Sequence, residues 1–211
     1  MPTTRSYGDA CPIGRALDVI GERWALLVVR ELLFGAQRFS DLRRALPAAS
    51  TNMLTDRLRE LEAHGVVRRR MLPPPAACSV YELTERGREL EPSLDALGAW
   101  GSAEPRPANS SLTATSVLLF LRGSARAHPD PPTQTYRVAL DDRVWTISNQ
   151  DGQLEIRAED TAAPAASLHT DPDTLNALLL DPAGLDAAVA TGAVQAEGHL
   201  PALRRLLQVA T

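Results

Sequence analysis

Apolar positions in the first hundred residues recur at helical spacing, interrupted by sharp breaks. Residues 12–21 and 22–34 read as two helices. The second carries Trp24, Ala25, Leu26, Leu27, Val28, Val29, Leu32, Leu33 and Phe34 on several sides and stops at Gly35, the pattern of a helix that is central or used in an interface. Phe39, Leu42 and Leu46 predict a short helix over 39–46, halted by Pro47, with Ser40 as its cap or Arg38 in its first turn. Ser50 suits the N-cap of a helix running from Thr51 to about His64 and closed by Gly65. On a helical wheel Leu54, Leu58 and Leu61 share one face, while Asn52, Thr55, Asp56 and Arg59 point the other way with Ala63 among them. A short helix, a tight turn and a polar-faced helix in succession are the sequence form of a helix-turn-helix.

Two β-prone segments, 66–72 and 79–83, flank a proline-rich tip over 73–77 and predict a hairpin. A hairpin directly after a helix-turn-helix is the wing of a winged helix. Thr84 then caps a helix over 85–100 with Leu90, Leu94 and Leu97 along one stripe; Pro92 lacks the donor for a helical bond, so a kink or restart is expected there. The stretch GSAEPRPANSS, residues 101–111, lacks large apolar side chains and reads as a linker, with a boundary near residue 105. The expected division is therefore 1–101, a linker over 102–111, and a second domain over 112–211.

The second domain mixes periods. Residues 112–122 read as a helix, and 134–140, 143–148 and 153–158 alternate as strands joined by turns at Asp141-Asp142 and at 149–152. A strand over 166–169 precedes a helix begun by Asp171 and Pro172, with Leu175, Leu178 and Leu179 inward. A helix over 185–190, a strand over 193–197 and a helix over 201–209 complete an α+β domain with a mostly antiparallel sheet. The expected fold is thus a mainly-α winged helix-turn-helix followed by this α+β domain.

Composition narrows the function. All 22 cations are Arg, against 26 acidic residues and a net charge of -4. Residues 1–100 carry 14 Arg and 13 acids, whereas residues 101–211 carry 8 Arg and 13 acids. Between Arg38 and Arg70 there are 8 Arg and 4 acids, a local net of +4. One basic segment in an acidic chain fits a localised anion-binding face; its plain alternative is a solvated helix surface. No apolar run approaches the roughly 18–20 residues that span a bilayer, and residues 1–10 lack a secretion signal's apolar core, so the expectation is a cytoplasmic protein without membrane association.

The order of residues in the first half resembles the HxlR-type winged-helix transcriptional regulators, relatives of the MarR group. The resemblance is carried by Cys11-Pro12, Gly21, Arg23-Trp24, Arg38-Phe39, Leu42, Leu54, Leu58, Leu61, Gly65-Val66-Val67, Tyr81-Glu82-Leu83-Thr84, Gly87 and Trp100. It implies a homodimer that binds double-stranded DNA as a repressor or activator. The chain departs from that pattern at the wing tip, Pro73 to Cys78, where relatives usually carry a cation; Arg68, Arg69 and Arg70 sit lower on the wing and are candidates to replace it. The second half resembles the sterol-carrier-protein fold through residues 168–179, Gly192-Ala193-Val194 and Glu197-Gly198, with His199 where relatives often have an acid. That implies an apolar cavity and a hydrophobic small-molecule effector; the alternative is a filled core serving as a dimerisation or spacer module.

Duplex binding needs cations for phosphates and groups that reach base edges. Asn52 suits adenine, Arg59 guanine and Thr55 a thymine methyl, while Asp56 suits a cytosine amine or orients Arg59. Ser50 and Thr51 open that helix. Arg38, Arg43, Arg44 and Arg57 are candidate phosphate contacts, with Arg68, Arg69 and Arg70 along the wing. The pairing surfaces expected for a dimer are the N-terminal helix and the 85–100 helix, and two recognition helices would then require a near-palindromic operator.

Catalysis is not expected. His64, His128, His169 and His199 show no metal-ligand spacing, and no phosphate loop or nucleophile elbow appears, so neither metal nor cofactor is expected. Two cysteines make no disulfide scaffold. Cys11, at a helix start with Arg15 one turn on, is a candidate redox-sensing thiol, since some relatives use a cysteine there; the plain alternative is a small buried apolar residue. Cys78 is expected to be inert. From a different class, the same pattern would also suit a small-molecule carrier or sensor whose winged helix binds protein.

Overall fold

Pro12 opens the first helix, where its missing N–H costs nothing, and α1 (Pro12–Ile20) follows. The computed structural model describes residues 6–107, 110–127, 132–151, 153–161 and 163–210. The chain divides into two units, Met1–Ala103 and Glu104–Thr211.

In the first unit α2 (Ala25–Leu32) starts later than the pattern of apolar residues predicts, because Trp24 adopts a left-handed conformation with φ of 78° and acts as its N-cap. A two-residue strand, β1 (Gln37–Arg38), was not expected, and it runs directly into α3 (Phe39–Ala45). Arg38, not Ser40, is the N-cap of α3, and its backbone N–H donates to Asp41 Oδ2 at 3.2 Å. Ser50 caps α4 (Thr51–Ala63) as predicted, its Oγ accepting from the Met53 N–H at 3.3 Å. Gly65, with φ of +68°, turns the chain out of α4 at a conformation that a side chain would strain.

The wing hairpin is β2 (Val67–Met71) and β3 (Ser79–Leu83), and β1 adds to it in the order β1-β3-β2, all antiparallel. The predicted 85–100 helix is two helices, α5 (Glu85–Arg88) and α6 (Glu91–Gly101), with Pro92 in the first turn of the second. Val28, Val29, Leu32, Leu42, Leu54, Leu58, Leu61, Val66, Val67 and Leu83 form one buried core. Each such side chain contributes about 1.5–3 kcal/mol by leaving water. Gly87 lets α5 approach that core: a Cβ there would lie 2.1 Å from the Val66 carbonyl oxygen.

The second unit begins with α7 (Ala114–Ala127), longer than its apolar stretch suggests. Its sheet comprises β4 (Tyr136–Leu140), β5 (Arg143–Gln150), β6 (Gln153–Arg157), β7 (Ala166–Thr170) and β8 (Gln195–Gly198). The order is β6-β5-β4-β7-β8, with β4 and β7 parallel and the other pairs antiparallel, giving the mostly antiparallel α+β arrangement expected. Asp141 takes a positive φ of 54° in the β4–β5 turn; Gly152 of the next turn lies outside the described residues. The strand predicted over 193–197 is shifted to Gln195–Gly198, because 192–194 are held in a turn: Val194 N–H donates to the Ala188 carbonyl and Thr170 Oγ1 to the Ala193 carbonyl.

Asp171 caps α8 (Pro172–Leu180), accepting from Thr174 N–H at 2.8 Å. The helices α9 (Leu185–Ala190) and α10 (Leu200–Leu207) follow. Tyr136, Val138, Trp145, Ile147, Ile156 and Leu168 share one buried face of the sheet, and Leu118, Leu121, Leu175, Leu179, Leu203 and Leu207 of the helices are buried as well. Among the described residues no helix is long and apolar enough to cross a membrane.

Candidate nucleic-acid interface

The turn between α3 and α4 is braced by side chains. The Arg43 guanidinium donates to the Thr51 hydroxyl, tying one helix to the start of the other. With Leu54, Leu58 and Leu61 buried, α4 presents Asn52, Asp56, Arg59 and Ala63 together on its exposed side. Arg59 and Asp56 lie one turn apart, Nη1 to Oδ1 at 3.6 Å, with side chains 74% and 59% exposed. An exposed pair of this kind contributes at most about 1 kcal/mol to folding. Thr55 is half-buried and its hydroxyl donates back to the Thr51 carbonyl at 2.8 Å. Met53, exposed beside Asn52, was not anticipated, because Met at helical spacing reads as core.

The candidate phosphate contacts separate into two groups. Arg38, Arg43 and Arg44 are exposed at α3, and Ser50 and Thr51 are exposed at the start of α4. Arg57 does not belong with them. Its side chain is only 12% exposed and paired with Glu60, and its Nε is buried without a partner. Position 57 lies next to the leucine stripe, which a wheel drawn around the polar residues passes over.

The wing also differs from a uniform basic run. Strand alternation places Arg68 and Arg70 on one face of β2 and Arg69 on the other. Arg68 Nε donates to Glu82 Oε1 at 2.7 Å and Arg70 Nη2 to Oε2 at 3.1 Å, whereas Arg69 Nε donates to Ser79 Oγ at 2.5 Å. Burial opposes ionisation of Glu82, but the hydrogen bonds and charges of Arg70 and Arg68 outweigh it and hold the carboxyl below its ordinary pKa. The tip from Pro73 to Ala77 is exposed. Sequence reading also passed over Arg86, whose Nη1 donates to the His64 carbonyl at 2.9 Å and fixes α5 to the end of α4.

Leu90 and Leu94 pack against the core, but α6 buries no residue completely. Leu97 and Trp100 of α6 are exposed, as are Ile13 and Leu17 of α1. Trp100 is 73% and Ile13 70% exposed, large apolar areas for a soluble surface. Cys11 is exposed rather than a buried apolar filler, and its N–H donates to Asp9 Oδ1 at 2.9 Å. Cys78 is half-buried. Among the described residues, which exclude His128, no cluster of three metal-ligating side chains occurs.

Two family profiles match the chain: an HxlR-like helix-turn-helix over residues 19–108, and an SCP-2 sterol transfer family over residues 123–211. An uncharacterised HTH-type transcriptional regulator of Synechocystis sp. is 44% identical over 95 residues, which is 45% of this chain and 70% of that protein. The uncharacterised HTH-type transcriptional regulator YvaP of Bacillus subtilis is 40% identical over 98 residues, 46% of this chain and 91% of YvaP. Among solved structures, the redox regulator HypR in its oxidised form is 38% identical, covering 46% of this chain and all of that one, with a TM-score of 0.43.

Proposed function

The chain belongs to the HxlR-like helix-turn-helix family of transcriptional regulators, and from that premise we propose that it works as a homodimer reading a near-palindromic operator through α4. The observation that carries this reading is the exposed Asn52–Asp56–Arg59 side of α4, backed by a fully apolar stripe and steadied by the Asp56–Arg59 pair. Asn52 reads adenine and Arg59 guanine, each by two hydrogen bonds, and Thr55 meets a thymine methyl. Asp56 orients Arg59. Arg38, Arg43 and Arg44, with Ser50 and Thr51 at the helix start, meet phosphates and set the register. Arg68, Arg69 and Arg70 extend that contact along the wing.

The apolar residues Ile13, Leu17, Leu97 and Trp100 supply the dimer surface, with two α4 helices about one DNA turn, roughly 34 Å, apart. The SCP-2-like unit binds an apolar effector, and oxidation of the exposed Cys11 is a second input. The protein acts by binding, without catalysis. A mobility-shift titration of the full chain on its own upstream DNA, at two salt concentrations, tests the proposal. Sequence preference with a steep salt slope is the expected result. Absence of any shifted band on specific or random duplex overturns it.

A further inference from the structure

The wing tip is prolines and alanines, so whatever the wing does to an anion it does from the sheet behind the tip. Three arginines reach one face of that sheet. Arg68 pairs across with Glu82, Arg70 with Val80, and Val80 pairs on its other side with Arg38. Glu82 sits among them with its side chain only 12% exposed, while Arg68 and Arg70 remain 62% and 47% exposed. Both carboxylate oxygens are engaged. Oε1 accepts from Arg68 Nε at 2.7 Å and Arg70 Nε at 3.2 Å, and Oε2 from Arg70 Nε at 3.2 Å and Nη2 at 3.1 Å. A guanidinium has five N–H donors, so each arginine is held from its Nε side while donors on its terminal nitrogens remain for a second acceptor.

We infer that Glu82 is a positioning residue for DNA binding, holding Arg68 and Arg70 as a preset pair of guanidiniums that meets backbone phosphates beside the segment read by α4. The inference rests on the DNA-binding reading of the first unit and names the group that organises its wing. Two effects of the carboxylate oppose each other. Its charge repels a phosphate, which across about 7 Å of water changes affinity roughly threefold at most. Its hydrogen bonds immobilise two rotamer-rich side chains before DNA arrives, and ordering them on binding instead costs roughly fivefold to a hundredfold. Positioning outweighs repulsion.

The test compares the full-length protein with Glu82→Gln, the double variant Arg68→Ala/Arg70→Ala, and the triple variant, by anisotropy titration on operator and random duplexes over a series of salt concentrations. Although Glu82→Gln adds a net positive charge, it is expected to bind both duplexes roughly twofold to thirtyfold more weakly, the ordering cost less the relief of repulsion. The double variant is expected to lower the salt slope by about 2 per protomer, one for each lost phosphate contact. Adding Glu82→Gln to the double variant is expected to cause no further loss and, with the repelling charge gone, to tighten binding by up to about threefold, a coupling that a general loss of fold would not produce. Equal or tighter binding by Glu82→Gln overturns the inference, as does an undiminished loss in the arginine-free background. If the unaltered chain binds neither duplex, the DNA-binding reading itself falls, and the inference with it.

Discussion

Removing the Arg59 side chain separates base reading from backbone contact. The residue is 74% exposed and its partner at 3.6 Å, Asp56, is itself exposed. Arg59→Ala therefore costs the fold at most about 1 kcal/mol. At the operator a guanidinium paired to guanine by two hydrogen bonds discriminates by about 1–3 kcal/mol, or roughly 5- to 150-fold per half-site. The variant should keep its thermal midpoint within a few degrees, bind operator more weakly by that factor, and lose preference at a single position in each half-site. Mobility shifts against duplexes carrying each base at each operator position, with random duplex as reference, measure all three effects. Equal loss on operator and random duplex would show that Arg59 touches phosphate only, and the assignment of α4's exposed side to base reading would be refuted.

Three further outcomes are expected. Cys11→Ser should abolish release from DNA by diamide or quinones while leaving basal binding intact; release identical to that of the unaltered chain removes Cys11 from the regulatory reading. Gly87→Ala should destabilise the first unit by about 1–3 kcal/mol or more, since its Cβ would meet the Val66 carbonyl oxygen at 2.1 Å, and a urea midpoint unchanged from the parent would contradict that contact. Asp171→Ala should destabilise the second unit by about 1 kcal/mol through loss of the α8 cap. Burial works against ionisation of Asp171, but hydrogen bonds from the Thr174 side chain and from the Thr174 and Asp173 backbone hold its folded pKa below the ordinary value. Its contribution is therefore complete above the ordinary carboxylate pKa and lost as pH falls through the lowered folded value. Urea titrations at neutral and acid pH should show that difference in the parent and a smaller one in the variant.

Much of this architecture is written locally. Ser50, Thr84 and Asp171 are caps whose side chains accept the N–H groups their positions predict, and the leucines at 54, 58 and 61 assign α4 its inner face. What was not legible depends on distant partners. A two-residue strand has no period, so β1 exists only because Gln37 and Arg38 lie beside Tyr81 and Val80. The left-handed turn at Trp24 shortens a helix whose apolar content continues through it. Three consecutive arginines look like one basic patch until the pleat separates Arg69 from its neighbours and Glu82 gathers the other two. Arg57 looked like its exposed helix-mates, yet it is mostly enclosed and paired with Glu60.

The unanticipated strand has a mechanical consequence. Arg38 is at once the last residue of β1 and the cap of α3, Arg43 fastens α3 to α4, and Arg86 fastens α5 to the end of α4. Hairpin and helices of the first unit are thus joined at successive points. In the homodimer proposed above, a stimulus that releases DNA would therefore act on the spacing between the two α4 helices rather than on the joints within either unit.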